Sequence, residues 1–235
     1  MLTILTANQK GGCGKTSISL TLAVALAHEG YKVAIADADP QKSALRFLKY
    51  RPDDVTPIMG IDWRDSDDIG DLPKKIDKAK PDVLIIDAPG AVAGERAERL
   101  IGECDLMFVP VLPSFFDIDS TKRFLKNIAD IKRIRKGKVN VHLIANRIRP
   151  QLMDGGIPSD KLLAIFDEIG QRPLAYISEK SAYTQLADDA LTIFDKTQKP
   201  YQDAKGQWQP ILALIKNKLS DNGKCADMST DGSWF

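Results

Sequence analysis

The chain has almost no net charge: 33 basic and 32 acidic side chains leave +1. No global field therefore drives it onto nucleic acid or membrane, and any such binding must come from a local patch. Cysteine is scarce. The three present, Cys13, Cys104 and Cys225, are odd in number and lack metal-ligand spacing, which points to a reducing cytosol. Long hydrophobic runs are missing too. The first apolar stretch, Leu2–Ala7, is far too short for a signal peptide, and no other run approaches a membrane span. Internal repeats and an obvious linker are also lacking, so 235 residues read as one cytoplasmic α/β unit large enough to bury a core. Residues 1–220 are expected to form that single domain. Residues 221–235 belong to a polar, aperiodic end and are expected to be a disordered tail.

What is present is alternation. Short β-rich runs fall at Leu2–Thr6, Lys32–Ala36, Thr56–Ile61, Val83–Ile86, Leu106–Pro110, Val139–Ala145 and Leu174–Ile177. Several are apolar throughout, as strands buried on both faces of a parallel sheet should be. Helical patterns lie between and after them, at Thr16–Glu29, Ser43–Lys49, Asp67–Lys78, Gly94–Gly102, Ile118–Lys136, Ser159–Ile169, Ser181–Ala187 and Pro210–Leu219. Strand and helix taking turns predict an α/β fold, a doubly wound, mostly parallel sheet flanked by helices.

The stretch NQKGGCGKTS, Asn8–Ser17, follows the first strand and opens the first helix. That is the context of a phosphate-binding loop, where backbone N–H groups and the helix dipole hold phosphates. Gly11, Gly12, Cys13, Gly14 and Ser17 would form the cradle. Lys15 would reach the β- and γ-phosphates of ATP, and the Thr16 hydroxyl would ligate Mg²⁺. A strict P-loop pattern wants glycine where Gln9 stands, and a second lysine, Lys10, sits five residues before the first.

This variant resembles the deviant Walker A box of the ParA/MinD family of P-loop ATPases. Three further stretches carry the resemblance: IADADPQKS (Ile35–Ser43) is similar to the family's switch I, DVLIIDAPG (Asp82–Gly90) to its Walker B strand and switch II, and FVPVLPSFFDID (Phe108–Asp119) to its fifth strand and following loop. LIANRIRP and ISEKSAY extend the match more weakly. The resemblance implies an ATP-sandwich homodimer in which Lys10 crosses to the partner's phosphates, so that hydrolysis is tied to pairing. It implies that Asp39 orients the attacking water and that Asp37 organises either Mg²⁺ or its own loop. Asp87 would hold Mg²⁺ through a water. Ala88 stands where relatives often have threonine. Asn146, with Arg147 beside it, either reads an adenine edge or makes a turn. Asp117 either joins the base pocket or, as we favour, caps the helix that follows.

Basic charge gathers at one helix end. Lys132, Arg133, Arg135 and Lys136, with Lys138 after them, follow apolar positions Phe124, Leu125, Ile128, Ile131 and Ile134 that should face the core. The cations then project outward, either as a non-specific DNA contact or as a solvated helix end that favours the dipole. The last helix, PILALIKNKL, has two lysines and no aromatic anchor, which suits docking on the sheet and gives no membrane binding. The family types this leaves are three. The expected one is a short ParA-type ATPase, nucleoid-associated, that positions a plasmid, chromosome or protein organelle such as the carboxysome. A centromere-binding or cargo-adaptor protein would stimulate its hydrolysis. The others are a MinD-like membrane-associated regulator and a metabolic enzyme of the dethiobiotin synthetase type.

Overall fold

The computed structural model describes residues 1–63, 74–90 and 94–228. Strand β1 (Leu2–Thr6) runs through the glycine-rich loop into α1 (Lys15–His28) and then β2 (Val33–Asp37). Next come α2 (Ser43–Tyr50), β3 (Met59–Asp62), α3 (Lys74–Ala79), β4 (Val83–Asp87) and α4 (Gly94–Gly102). The chain continues through β5 (Leu106–Val111), α5 (Phe115–Ala129), the short α6 (Lys132–Arg135) and β6 (Asn140–Ile148). A two-residue-strand hairpin, β7 (Met153–Asp154) and β8 (Ile157–Pro158), precedes α7 (Asp160–Asp167) and β9 (Ala175–Ser178). Helices α8 (Ser181–Asp188), α9 (Lys199–Gly206) and α10 (Gln209–Met228) end the described chain.

Seven strands form one sheet in the order β3-β2-β4-β1-β5-β6-β9, and every pairing in it is parallel. Alternate residues of each strand face opposite sides, so the sheet carries two cores. Leu5, Leu84, Ile86, Met107, Val109 and Leu143 meet the helices on one side, including Leu100 of α4 and Phe124 of α5. Leu2, Ile4, Ile35, Ile85, Phe108 and Ile144 meet α1 and α10 on the other. Helix α1 is buried nearly all round, which is why its sequence carries no single apolar stripe. Ile211, Leu212 and Ile215 of α10 are buried against the sheet, each worth roughly 1.5–3 kcal/mol on a transfer scale. The last helix is therefore docked, as its composition suggested.

Two expectations need correction. The helix expected over Ile118–Lys136 starts earlier, at Phe115, and stops at Ala129. Carrying it on to Lys136 would move the chain about 10 Å past Ala129 at 1.5 Å per residue. Only 137–139 would then remain to bring it back to the start of β6, so it turns at Asp130–Ile131 instead. The last helix reaches Met228, nine residues beyond Leu219, through the first part of the expected tail; residues 229–235 lie outside the described residues. Much of the helix expected over Asp67–Lys78 also lies outside them, and the described part is Lys74–Ala79. Helix α9 and the β7–β8 hairpin were not anticipated.

Candidate nucleotide-binding site

Sheet register assembles the site. Thr6 pairs with Asp87, and Asp87 in turn pairs with Asp37, so the carboxyl ends of β1, β4 and β2 lie abreast. The carboxyl edge of a parallel sheet is where an α/β fold binds ligands, and the loop leaving central β1 stands over it.

The loop's shape depends on glycine. Gly12 and Gly14 have φ of 76° and 97°, a region L side chains rarely adopt. At Gly14 there is no room either, because a Cβ would sit 2.3 Å from the Asn146 amide nitrogen. That nitrogen donates to the Cys13 carbonyl at 2.8 Å. Asn146 is 7% exposed. Its amide donor thus braces the phosphate loop from below, a role the expectation of base reading or a turn did not contain. Asn8 does similar work at the other end. Its side-chain nitrogen donates to the Pro110 carbonyl at 2.8 Å and to Thr121 Oγ1 at 3.0 Å, tying the loop to β5 and α5. Cys13 is buried within the loop, its thiol donating to the Lys10 carbonyl, and burial raises its pKa.

Lys15 is buried, and its ammonium donates to the Lys10 carbonyl at 3.2 Å. Thr16 Oγ1 donates to Asp87 Oδ2 at 2.7 Å, and Ser19 Oγ donates to Asp87 Oδ1 at 3.0 Å. Asp87 is fully buried, and desolvation pushes its pKa up to about 7, the two hydroxyl donors opposing that only in part. The Lys15 charge also lowers it, but burial outweighs all three, so the carboxylate is short of positive charge. Among the described residues no cluster of three His, Cys, Asp or Glu forms an all-protein metal cage. A threonine hydroxyl against a carboxylate at the foot of a phosphate loop fits Mg²⁺ that takes its other ligands from water and substrate phosphate.

Asp37 bonds to its own loop. Its Oδ1 accepts from the Asp39 amide at 3.0 Å and its Oδ2 from the Leu45 amide at 3.1 Å. Each oxygen thus accepts one backbone N–H of the loop after β2, the loop-organising alternative of the two expected roles; burial raises its pKa. Asp39 is half-buried and lines the phosphate-side cavity, with one oxygen accepting from the Gln41 amide at 2.9 Å. Asp117 is not the helix cap. Ser114 caps α5, accepting from the Asp117 amide, and the Ser114 hydroxyl donates to Asp117 Oδ2.

Two cavities meet at this edge. One of about 550 Å³ is lined by Gly11, Gly12, Gly14, Lys15, Thr16, Asp39, Pro89, Arg96 and neighbours. The other, of about 360 Å³, lies between α1 and the chain after β9, with Ile18, Thr21, Asn146, Ser178, Glu179, Tyr183 and Trp208 among its walls. Ser17 and Arg147 line both. Arg147 stands at the irregularity between Ala145 and Ile148 where β6 slips against β9, and its φ is 50°. The bulge puts Asn146 beneath the loop and Arg147 at the joint of the two cavities. Lys10 is half-buried and is not among the residues lining its own chain's phosphate-side cavity.

Geometry of this kind holds the phosphates of a nucleotide, and the chain is a P-loop nucleotide-binding protein. Comparison with known proteins narrows the class. The model of the CobQ/CobB/MinD/ParA nucleotide-binding domain matches residues 4–193, and the chain belongs to that family. It is 29% identical over 152 residues to the maintenance of carboxysome distribution protein A of Halothiobacillus neapolitanus, covering 63% of this chain and 68% of that protein. It is 27% identical over 192 residues to protein ParA of Rhizobium radiobacter, covering 79% and 82%. The ATP complex of Cyanothece McdA matches with a TM-score of 0.68 at 17% identity, over 90% of this chain and 96% of that one, a likeness of fold.

The expected basic cluster divides. Lys132, Arg135, Lys136 and Lys138 are exposed. Arg133 is half-buried, donating to the Cys104 carbonyl at 3.0 Å and lying 3.9 Å from Asp105. It ties α6 to the turn between α4 and β5. Asn8, Ser19, Arg96 and Tyr183 escaped the sequence reading. Only Ser19 left a signal, three residues after Thr16 and so on the same helix face.

Proposed function

We propose that the chain is a ParA-type positioning ATPase. It pairs around ATP, binds DNA without reading sequence as a pair, and releases it when a cargo-bound partner speeds hydrolysis. The observation that carries this reading is Lys10. It belongs to the phosphate loop, yet its side chain lines no part of the cavity its own loop encloses. A cation supplied to a second copy's triphosphate accounts for both facts, and such a group stabilises charge on the transferring phosphoryl group.

The chemistry then follows from this chain's residues. Lys15 exchanges the Lys10 carbonyl for β- and γ-phosphate oxygens. Thr16 and Asp87 hold Mg²⁺, which when bound draws charge from the phosphate oxygens. Asp39 accepts from and orients a water that attacks the γ-phosphorus as the bond to the β–γ bridging oxygen breaks, giving ADP and phosphate. The smaller cavity, between α1 and the chain after β9, takes the base. The halves of the pair each present Lys132, Arg135 and Lys136, roughly doubling the phosphate contacts available to one chain and steepening the salt dependence. The reading also implies a cytoplasmic, nucleoid-associated protein.

The carboxysome-distribution and ParA names of the two relatives support this type over a membrane regulator. So does α10, whose apolar residues are used inside the fold. The test is DNA binding in ATP, ADP and no nucleotide across a salt series. Binding that needs ATP and falls steeply with salt is expected; DNA affinity equal in all three conditions refutes the switch. Fast turnover with neither DNA nor partner would instead favour a metabolic enzyme.

A further inference from the structure

We infer that Arg96 is a second cation acting within the same chain on the terminal phosphate, and that it connects that phosphate to switch I. This rests on the nucleotide reading of the site. Arg96 lies in the first turn of α4, half-buried, behind the Asp87 strand. Its Nη2 donates to the Ala38 carbonyl at 2.8 Å, while its Nε is buried with no acceptor. Among the described residues no carboxylate lies within ion-pair range of it. The side chain nevertheless lines the phosphate-side cavity together with Lys15, Thr16 and Asp39.

A buried N–H without an acceptor is costly, and a guanidinium without a counter-charge more so. A phosphate in this cavity supplies the counter-charge, and the planar fork of arginine suits it. The Ala38 peptide makes the contact informative. Its N–H donates to the Asp87 carbonyl at 3.0 Å, its C=O accepts from Arg96, and it lies between Asp37 and Asp39. A phosphate that draws on Arg96 therefore pulls on the residue joining the loop organiser to the water-orienting carboxylate. ADP, which lacks the third phosphate, leaves that pull out.

The experiment compares Arg96→Gln and Arg96→Lys with the native chain, using Mg-ATP and Mg-ADP as probes. Arg96→Gln is expected to weaken ATP binding about tenfold or more while ADP affinity changes less than about threefold, the size of losing a hydrogen bond to a charged group. Turnover should fall about a hundredfold, with a partial return in Arg96→Lys. A merely structural arginine would lower thermal stability and weaken both nucleotides equally, and that result overturns the inference. Should Arg96→Gln fail to fold, hydrogen exchange of residues 94–102 in the native chain decides. Protection by a non-hydrolysable ATP analogue beyond that by ADP supports the contact, and equal protection overturns it. A native chain that binds neither nucleotide would refute the nucleotide reading itself, a distinguishable failure.

Discussion

Replacing Asp87 by asparagine tests the electrostatic account of the site without any assay of activity. The native carboxyl is fully buried, and its pKa stands at about 7 against an ordinary 3.8. Between those values the folded chain holds a proton that the unfolded chain has released. Stability must then fall as pH rises from about 4 to about 7 and level off above. At about 1.4 kcal/mol per pH unit, the three-unit gap sets a ceiling of about 4 kcal/mol. Asparagine keeps the shape, and the Thr16 and Ser19 hydroxyls, 2.7 and 3.0 Å from the carboxylate oxygens, can turn to serve its amide. The variant removes the ionisation and with it the penalty. We expect Asp87→Asn, in EDTA and without nucleotide, to be about 2–4 kcal/mol more stable than the native chain at pH 8 and little different at pH 4. Urea denaturation at half-unit steps of pH measures this, and the difference between the chains removes the contribution of other titrating groups such as Asp37. Adding Mg-ATP at pH 8 should stabilise the native chain and leave the variant nearly unmoved. Parallel pH profiles, or a variant less stable at pH 8, would refute the reasoning.

Lys10→Ala should leave ATP affinity within a few-fold and cut turnover about a thousandfold, the scale of losing a cation donated in trans; unchanged turnover removes that role. Asp39→Ala should hold an ATP-bound pair, and a monomer by light scattering in ATP counts against it. Neutralising Lys132, Arg135 and Lys136 together, with Arg133 left in place, should abolish DNA binding and leave the melting temperature near native. Arg133→Ala should instead cost about 1–3 kcal/mol of stability, because it strands the Cys104 carbonyl. The opposite assignment of the two effects would move the DNA surface elsewhere.

The phosphate loop was legible because its chemistry is backbone chemistry. Gly12 and Gly14 must stand where positive φ is required, so their spacing survives in the sequence as pattern. The strands were legible for a related reason: burial on both faces leaves unbroken apolar runs such as Val83–Ile86. Asn146 was not, because its task depends on a slip between β6 and β9 that no local pattern announces. Arg96 was hidden among Glu95, Glu98 and Arg99, where one more charge on a polar helix looks like solvent exposure. Helix α9 has Pro200 near its start and Gly206 at its end, too short a span for periodicity to emerge. The bond Arg133 makes was hidden for the opposite reason. Composition groups it with Lys132 and Arg135, and only the turn at Asp130–Ile131 lays it against Cys104.

The groups that sequence alone could not place share a physical character with those it could. Asp87 is a carboxylate held among neutral donors, Lys15 an ammonium held by a carbonyl, and Arg96 a guanidinium with a buried N–H lacking an acceptor. Each is under-served by protein, and each by a charge of the sign that magnesium or a triphosphate would complete. Asp87 ends β4, and Lys15 and Arg96 line the cavity beside that edge, so the completion of the site depends on how many phosphates arrive. Three phosphates would reach Lys15, the metal and Arg96 together, whereas two would leave Arg96 and, through Ala38, the switch I loop as they were. The difference between those two states is the free energy available for a nucleotide-dependent change of partner.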